Sequence, residues 1–176
     1  MKIGLTGTMS VGKTTLVNEL KKIPEFEGYK FATERSEYLR DLGIPLNTDS
    51  TLKGQTIFLA ERASELLQEN IITDRTIIDV IAFAQCSKSI NYLDKDCFIN
   101  LASCLIHEYD YIIYVSPEGV DIEDNGVRET DKDYRKEIDQ SIKHFLTRYN
   151  HKIKNLIEIK GSTSSRIQKM IGEINL

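Results

Sequence analysis

The residues with the clearest chemical purpose stand near the N-terminus, in the run Gly7-Thr8-Met9-Ser10-Val11-Gly12-Lys13-Thr14. Two glycines with four residues between them, followed by Lys and Thr, satisfy the full phosphate-loop (Walker A) pattern. Glycine has no Cβ and accepts positive φ, so Gly7 and Gly12 allow backbone N–H groups to close around phosphate oxygens. The positive end of a following helix would face the same anion. Lys13 would reach the β- and γ-phosphates of a nucleotide, and the Thr14 hydroxyl would ligate Mg²⁺. Ser10, Val11 and Thr15 complete the set expected around a bound ATP.

Further along, acids and arginines follow apolar segments. Asp74, after Ile71-Ile72-Thr73, is a candidate Mg²⁺ carboxylate and equally a cap for the next helix. Arg75 beside it suits a substrate phosphate or a neighbouring acid. Glu34 is the candidate general base, able to accept a hydroxyl proton during phosphoryl transfer, with a helix-start glutamate as the plainer reading. Arg35 and Arg40 suit an anionic acceptor or plain solvent. Arg128, next to the hinge-permitting Gly126 and Val127, is the candidate lid arginine, with Arg135 able to share the task. Gln55 could read a base edge through paired hydrogen bonds, and Tyr38 and Phe58 could stack on a ring or simply pack the core.

The elements that must hold these groups can be traced by periodicity. Lys2–Thr6 predicts a strand, and Leu16, Val17, Leu20 and Ile23 predict a helix that stops at Pro24. Strands are expected at 29–33, 70–73, 111–115 and 156–159. Helices are expected at 36–42, 51–68, 76–86, 94–107, 131–149 and 166–174. In the 51–68 helix, Leu52, Leu59, Ala60, Ala63, Leu66 and Leu67 are expected to share the inner face. The polar stretch 118–130 is expected to be an exposed loop. Alternating strands and helices imply an α/β fold of three layers, with a five-stranded parallel sheet between helices. Residues 1–176 are expected to form one unit with a mobile lid over about 117–135. Ligands of such sheets bind beyond the strand C-termini, which gathers Gly7–Thr14, Glu34, Asp74 and the 117–130 loop around one cleft.

Composition narrows the rest. The chain has 176 residues, 40% apolar and 28% charged, with a net charge of −4. The acidic balance disfavours a nucleic-acid partner. Cys86, Cys97 and Cys104 are odd in number and lack metal-site spacing, as expected of reduced thiols in a cytoplasmic protein. No apolar run is long enough to span a membrane.

These motifs together resemble the P-loop kinases of small molecules. The likeness is to nucleoside and nucleotide kinases, and within that group to the AAA-type ATPase/kinase branch containing the nicotinamide riboside kinase domain. It rests on Gly7–Thr14, Thr33-Glu34-Arg35, Thr73-Asp74-Arg75-Thr76 with Asp79, Tyr109-Asp110-Tyr111 leading to Ser116-Pro117, and Gly126-Val127-Arg128. Gly161 followed by Arg166 looks like the turn bordering the adenine in such kinases. The resemblance implies Lys13 and Thr14 as phosphate and metal residues, Glu34 as the acceptor-side carboxylate, Asp74 as the metal carboxylate and Arg128 as the lid arginine. It implies an ATP- and Mg²⁺-dependent phosphotransferase acting on a nucleoside or nucleotide, and it leaves a homodimer open. Deoxynucleoside kinases usually carry Glu-Pro and Glu-Arg-Ser where this chain has Glu34-Arg35 and Asp74-Arg75, so their substrate preference does not carry over. Nicotinamide riboside kinase-like activity, a polynucleotide 5′-hydroxyl kinase and a nucleotide switch without kinase activity remain the alternatives.

Overall fold

The structure, a computed structural model, describes residues 1–33, 35–118 and 132–174. Glu34, Arg128, Gly126 and nearly all of the expected lid loop lie outside the described residues.

Five strands form one parallel sheet: β1 (Lys2–Thr6), β2 (Lys30–Ala32), β3 (Ile71–Asp74), β4 (Tyr111–Val115) and β5 (Leu156–Ile159), in the order β2-β3-β1-β4-β5. The expected three-layer α/β fold is therefore observed. The helices are α1 (Lys13–Leu20), α2 (Ser36–Asp41), α3 (Leu52–Glu65), α4 (Ile77–Cys86), α5 (Tyr92–Ser103), α6 (Lys132–Arg148) and α7 (Thr163–Glu173).

Alternating side chains divide the core between the two faces of the sheet. Ile3 and Leu5 of β1, with Tyr111, Ile113 and Val115 of β4, pack on the side of α1 and α7. Ile112 and Tyr114 join the core built from α3, α4, α5 and α6. Helix α4 is buried nearly all round, as its apolar run predicts, and it starts with a capping box between Thr76 and Asp79.

Gly4 is small because α4 comes very close. A Cβ there would stand 2.5 Å from Thr76 Cγ2 and 2.7 Å from the Tyr109 ring. Gly4→Ala should therefore overpack the centre of the sheet and destabilise the chain by about 1–3 kcal/mol, read as a lower denaturant midpoint at constant slope. A wild-type midpoint would contradict this packing.

Helix α3 departs from expectation. Ala60 and Leu67 are exposed, Leu67 by 81%, while Gln55, Leu59, Arg62 and Leu66 line the inner face. Positions 55, 59, 62 and 66 do recur at helical spacing, but two of them are polar. The inward face is set by a pocket, described next, that takes Gln55 and Arg62 into its wall.

Candidate active site

The turn from β1 into α1 has the backbone that the glycine spacing demands. Gly7 has φ 153°, Ser10 φ 56° and Gly12 φ 83°. A Cβ on Gly7 would meet the Val115 carbonyl at 2.6 Å, so this glycine is required for space as well as conformation. Lys13 is only 5% exposed; its ammonium donates to the carbonyls of Gly7 (2.7 Å) and Thr8 (2.8 Å), arching back over the loop. Thr14 Oγ1 donates to Asp74 Oδ2 at 2.5 Å. Val11 is fully buried with its side chain in the core, so it offers only backbone to a ligand, and Thr15 is exposed in the first turn of α1.

Two buried side chains brace the loop. Asp79 Oδ1 accepts from Gly7 N and from Arg75 Nη1, both at 3.2 Å, while its Oδ2 accepts from Thr76 N (2.8 Å) and Thr76 Oγ1 (2.9 Å). Arg75 also donates to the Gly7 carbonyl at 3.1 Å, and its guanidinium lies over the Phe83 ring. Its backbone sits at φ 128°, a strained value for a residue with a side chain, held in part by Thr73 Oγ1 donating to its carbonyl at 2.8 Å. On the other side, Arg166 of α7 is buried, donating from Nη1 to Val11 O (2.6 Å) and from Nη2 to Ser116 O (3.2 Å). Both ends of this guanidinium hold protein backbone, tying the loop to the end of β4. Arg135 stands nearby, its carbonyl accepting from Thr8 Oγ1 at 3.0 Å and its Nη2 donating to Ser10 O at 3.4 Å.

A pocket adjoins the loop and shares Met9 with it. Arg35, Gln55, Phe58, Arg62, Arg75 and Asp79 line it, with apolar walls from Leu46, Val80 and Phe83. Gln55 is 3% exposed, and its amide has no hydrogen-bond partner among the described residues. Of the expected acceptor-side residues, Arg35, Gln55, Phe58 and Arg75 come together here. Tyr38 does not: half-exposed on α2, its ring lies under the Arg35 guanidinium at 4.6 Å, outside the pocket wall. Arg40 pairs with its neighbour Asp41 on the surface. Sequence reasoning overlooked Arg62, whose signal was a charged residue seven positions after Gln55, two turns along one helix face. It also overlooked the bracing role of Asp79, visible as an acid three residues after the capping Thr76.

Beneath the pocket, burial pushes the Glu65 carboxyl up to about 7 from its usual 4.5, against the pull of Arg62; Glu61 and Asp74 add to the rise and Arg35 opposes it. The unfolded chain releases this proton near 4.5 and the folded chain near 7, so the favourable contribution is complete below 4.5 and lost as pH rises through 7. The denaturation midpoint of the wild type should fall relative to Glu65→Gln between about pH 5 and about pH 8. Parallel profiles for the two proteins would contradict this.

The family model described as AAA domain matches residues 2–166. The chain belongs to the AAA domain family. No curated protein matches this AAA domain in sequence. Among solved structures, deoxyadenosine kinase from M. mycoides with products dCMP and a flexible dCDP bound is similar, with a TM-score of 0.72 at 20% identity over 99% of this chain and 98% of that one. The dATP-bound form of that enzyme gives 0.66 at 19% identity, with both chains fully covered. NadR in complex with NR gives 0.71 at 19% identity, over 96% of this AAA domain and 49% of NadR. These likenesses carry the fold.

No helix among the described residues is long and apolar enough to cross a membrane. Nor do the described residues contain a cluster of three or more His, Cys, Asp or Glu suited to a metal. A divalent ion here would be held by the hard-oxygen pair of Thr14 and Asp74. A hydroxyl beside a buried carboxylate at a phosphate loop fits Mg²⁺, which takes few protein ligands and completes its shell with phosphate and water.

Proposed function

We propose that this chain is an ATP- and Mg²⁺-dependent phosphotransferase that phosphorylates a nucleoside or nucleotide. The observation that carries the reading is the adjacency of a complete phosphate loop, backed by the Thr14–Asp74 pair, and a pocket with apolar walls and a buried amide that has no hydrogen-bond partner among the described residues. Met9 belongs to both, so an acceptor in the pocket would lie beside the terminal phosphate. The folds of deoxyadenosine kinase and NadR favour the same reading, and NadR favours nicotinamide riboside as a second acceptor to test.

In this mechanism the loop N–H groups and Lys13 bind the β- and γ-phosphates and stabilise the charge that develops on them. Mg²⁺, when bound by Thr14 and Asp74, would neutralise phosphate charge and orient the transferring group. Gln55 offers a donor and an acceptor side by side to a base edge, while Phe58 and Phe83 flank its faces. Arg35 and Arg75 suit an anionic or polyhydroxyl part of the acceptor. Glu34 accepts the proton of the attacking hydroxyl and Arg128 closes over the phosphates; both assignments rest on the sequence. Arg166 supports the nucleotide site from behind, through the loop backbone. We assign residues 1–176 to a single kinase unit of a cytoplasmic protein.

The test is ADP release from ATP in the presence of nucleosides, nucleoside monophosphates, nicotinamide riboside and 5′-hydroxyl oligonucleotides. Release that depends on Mg²⁺ and on a nucleoside or nucleotide is expected. A chain that binds ATP yet transfers phosphate to none of these would sink the proposal, and transfer to oligonucleotides alone would turn it toward a polynucleotide kinase.

A further inference from the structure

Along the inner face of α3 lies a group of charges that packing alone does not require. Arg62 is 3% exposed, yet it carries a charge and belongs to the pocket wall. Its Nη2 donates to Glu65 Oε1 at 2.6 Å, and Glu61 Oε2 stands 3.9 Å from the same nitrogen. Its Nε is buried and donates to nothing among the described residues. Glu65 itself is outside the pocket wall, with a side chain 15% exposed. One carboxylate oxygen is on Arg62; the other, Oε2, is buried with no hydrogen-bond partner among the described residues.

The surroundings of Glu65 make a carboxylate there unfavourable. Glu61 and Arg62 face it from α3, Arg35 from the start of α2, and Asp74 from the end of β3. Tyr109, buried ahead of β4, faces it as well. An apolar residue of similar size would pack at that position at lower cost than a desolvated acid. What an acid gains there is a fixed guanidinium. An arginine stem is flexible, and anchoring one terminal nitrogen to a carboxylate holds the remaining N–H groups at a defined point.

We propose that Glu65 is a positioning residue for the phosphoryl acceptor: it holds Arg62 so that the guanidinium's other N–H groups donate to a hydrogen-bond-accepting atom of the acceptor's base, and it does not touch the acceptor itself. This rests on the kinase reading above. Gln55 and Arg62 would then present their polar groups from one helix face, two turns apart, to one edge of the ligand.

Deoxyadenosine and nicotinamide riboside serve as probes. The Arg62 Nε–H resonance is identified by its loss in Arg62→Lys. In the wild type it should be slow to exchange with water and should shift when the probe that is turned over is added. In Glu65→Gln it should move to an exposed, rapidly exchanging position. The KM for the acceptor should rise about tenfold in Glu65→Gln while the Kd for ATP stays within about twofold, and Glu65→Asp should recover part of the loss. An Arg62 resonance and an acceptor KM that Glu65→Gln leaves unchanged would overturn the proposal. So would a parallel loss of ATP affinity, the mark of general damage. If neither probe is turned over, the kinase reading is judged on the wider acceptor panel above. The Arg62 resonance compared without any acceptor still decides the positioning: displacement in Glu65→Gln upholds it, and an unchanged signal overturns it.

Discussion

Lys13→Ala is expected to abolish phosphoryl transfer while leaving a folded chain. Lys13 is 5% exposed and its ammonium bridges the Gly7 and Thr8 carbonyls, which places a full positive charge at the mouth of the loop. There, shielded from water, it would act on the charge that spreads over the γ-phosphoryl oxygens during transfer. Removing one such preorganised donor costs about 10²–10³ in turnover, roughly 3–4 kcal/mol of barrier. The stability loss should be much smaller. The two carbonyls lose their donor, but they belong to a loop that water can reach once the side chain is gone, so each costs about 1 kcal/mol or less. The measurement is single-turnover phosphate transfer beside a denaturation curve. Transfer within a few-fold of wild type would remove Lys13 from the chemistry, and a collapsed fold would make its role structural.

Asp79→Ala should do the opposite and strike the fold first. This carboxylate takes four hydrogen bonds, from Gly7 N, Arg75 Nη1, Thr76 N and Thr76 Oγ1, and is 1% exposed. Deleting it strands two buried backbone N–H groups and takes the acid from beside a largely buried guanidinium. Breaking a buried ion pair of this kind costs about 3–5 kcal/mol. Asp79→Asn should lose less, because one oxygen remains, but its NH₂ must then face a donor wherever it turns. Since Gly7 opens the phosphate loop, ATP affinity should fall with stability in both variants. Equilibrium denaturation and nucleotide titration report the two effects. Wild-type stability in Asp79→Ala would show that the loop is held from elsewhere, with Arg166 and its bonds to Val11 O and Ser116 O as the first place to look.

Some of this was legible one segment at a time. Strands β4 and β5 have the expected bounds, because five consecutive apolar residues ended by Ser116-Pro117, or a short alternating run, leave few other choices. Helix α4 was nearly as plain, because all of its residues but Asp79 and Gln85 are apolar, although Thr76 caps it and not Asp74, the cap expected as the alternative to a metal ligand. Helix α3 was misread because hydrophobic type was taken as the guide to its inner face. Leu67 is exposed and Arg62 buried there, since the helix turns Gln55 and Arg62 toward a pocket that no neighbour in sequence reveals. Tyr38 was grouped with the ring-stacking candidates on residue type, yet it lies beneath Arg35 rather than in the pocket wall.

By itself the sequence determined the phosphate loop, because its function lies in backbone conformation and two adjacent side chains within eight consecutive residues. It also determined the parallel sheet, since the alternation of apolar strands and amphipathic helices is local information. Only the tertiary structure decided what stands behind and beside that loop. Val11 and Arg166 are 155 positions apart, Gly7 and Asp79 are 72 apart, and Thr14 and Asp74 are 60 apart. Contacts over such separations depend on strand order and helix packing, which set where each side chain ends up. That is also why a half-buried glutamate and a buried arginine, unremarkable as letters on a helix, acquire meaning only when the pocket wall is in view.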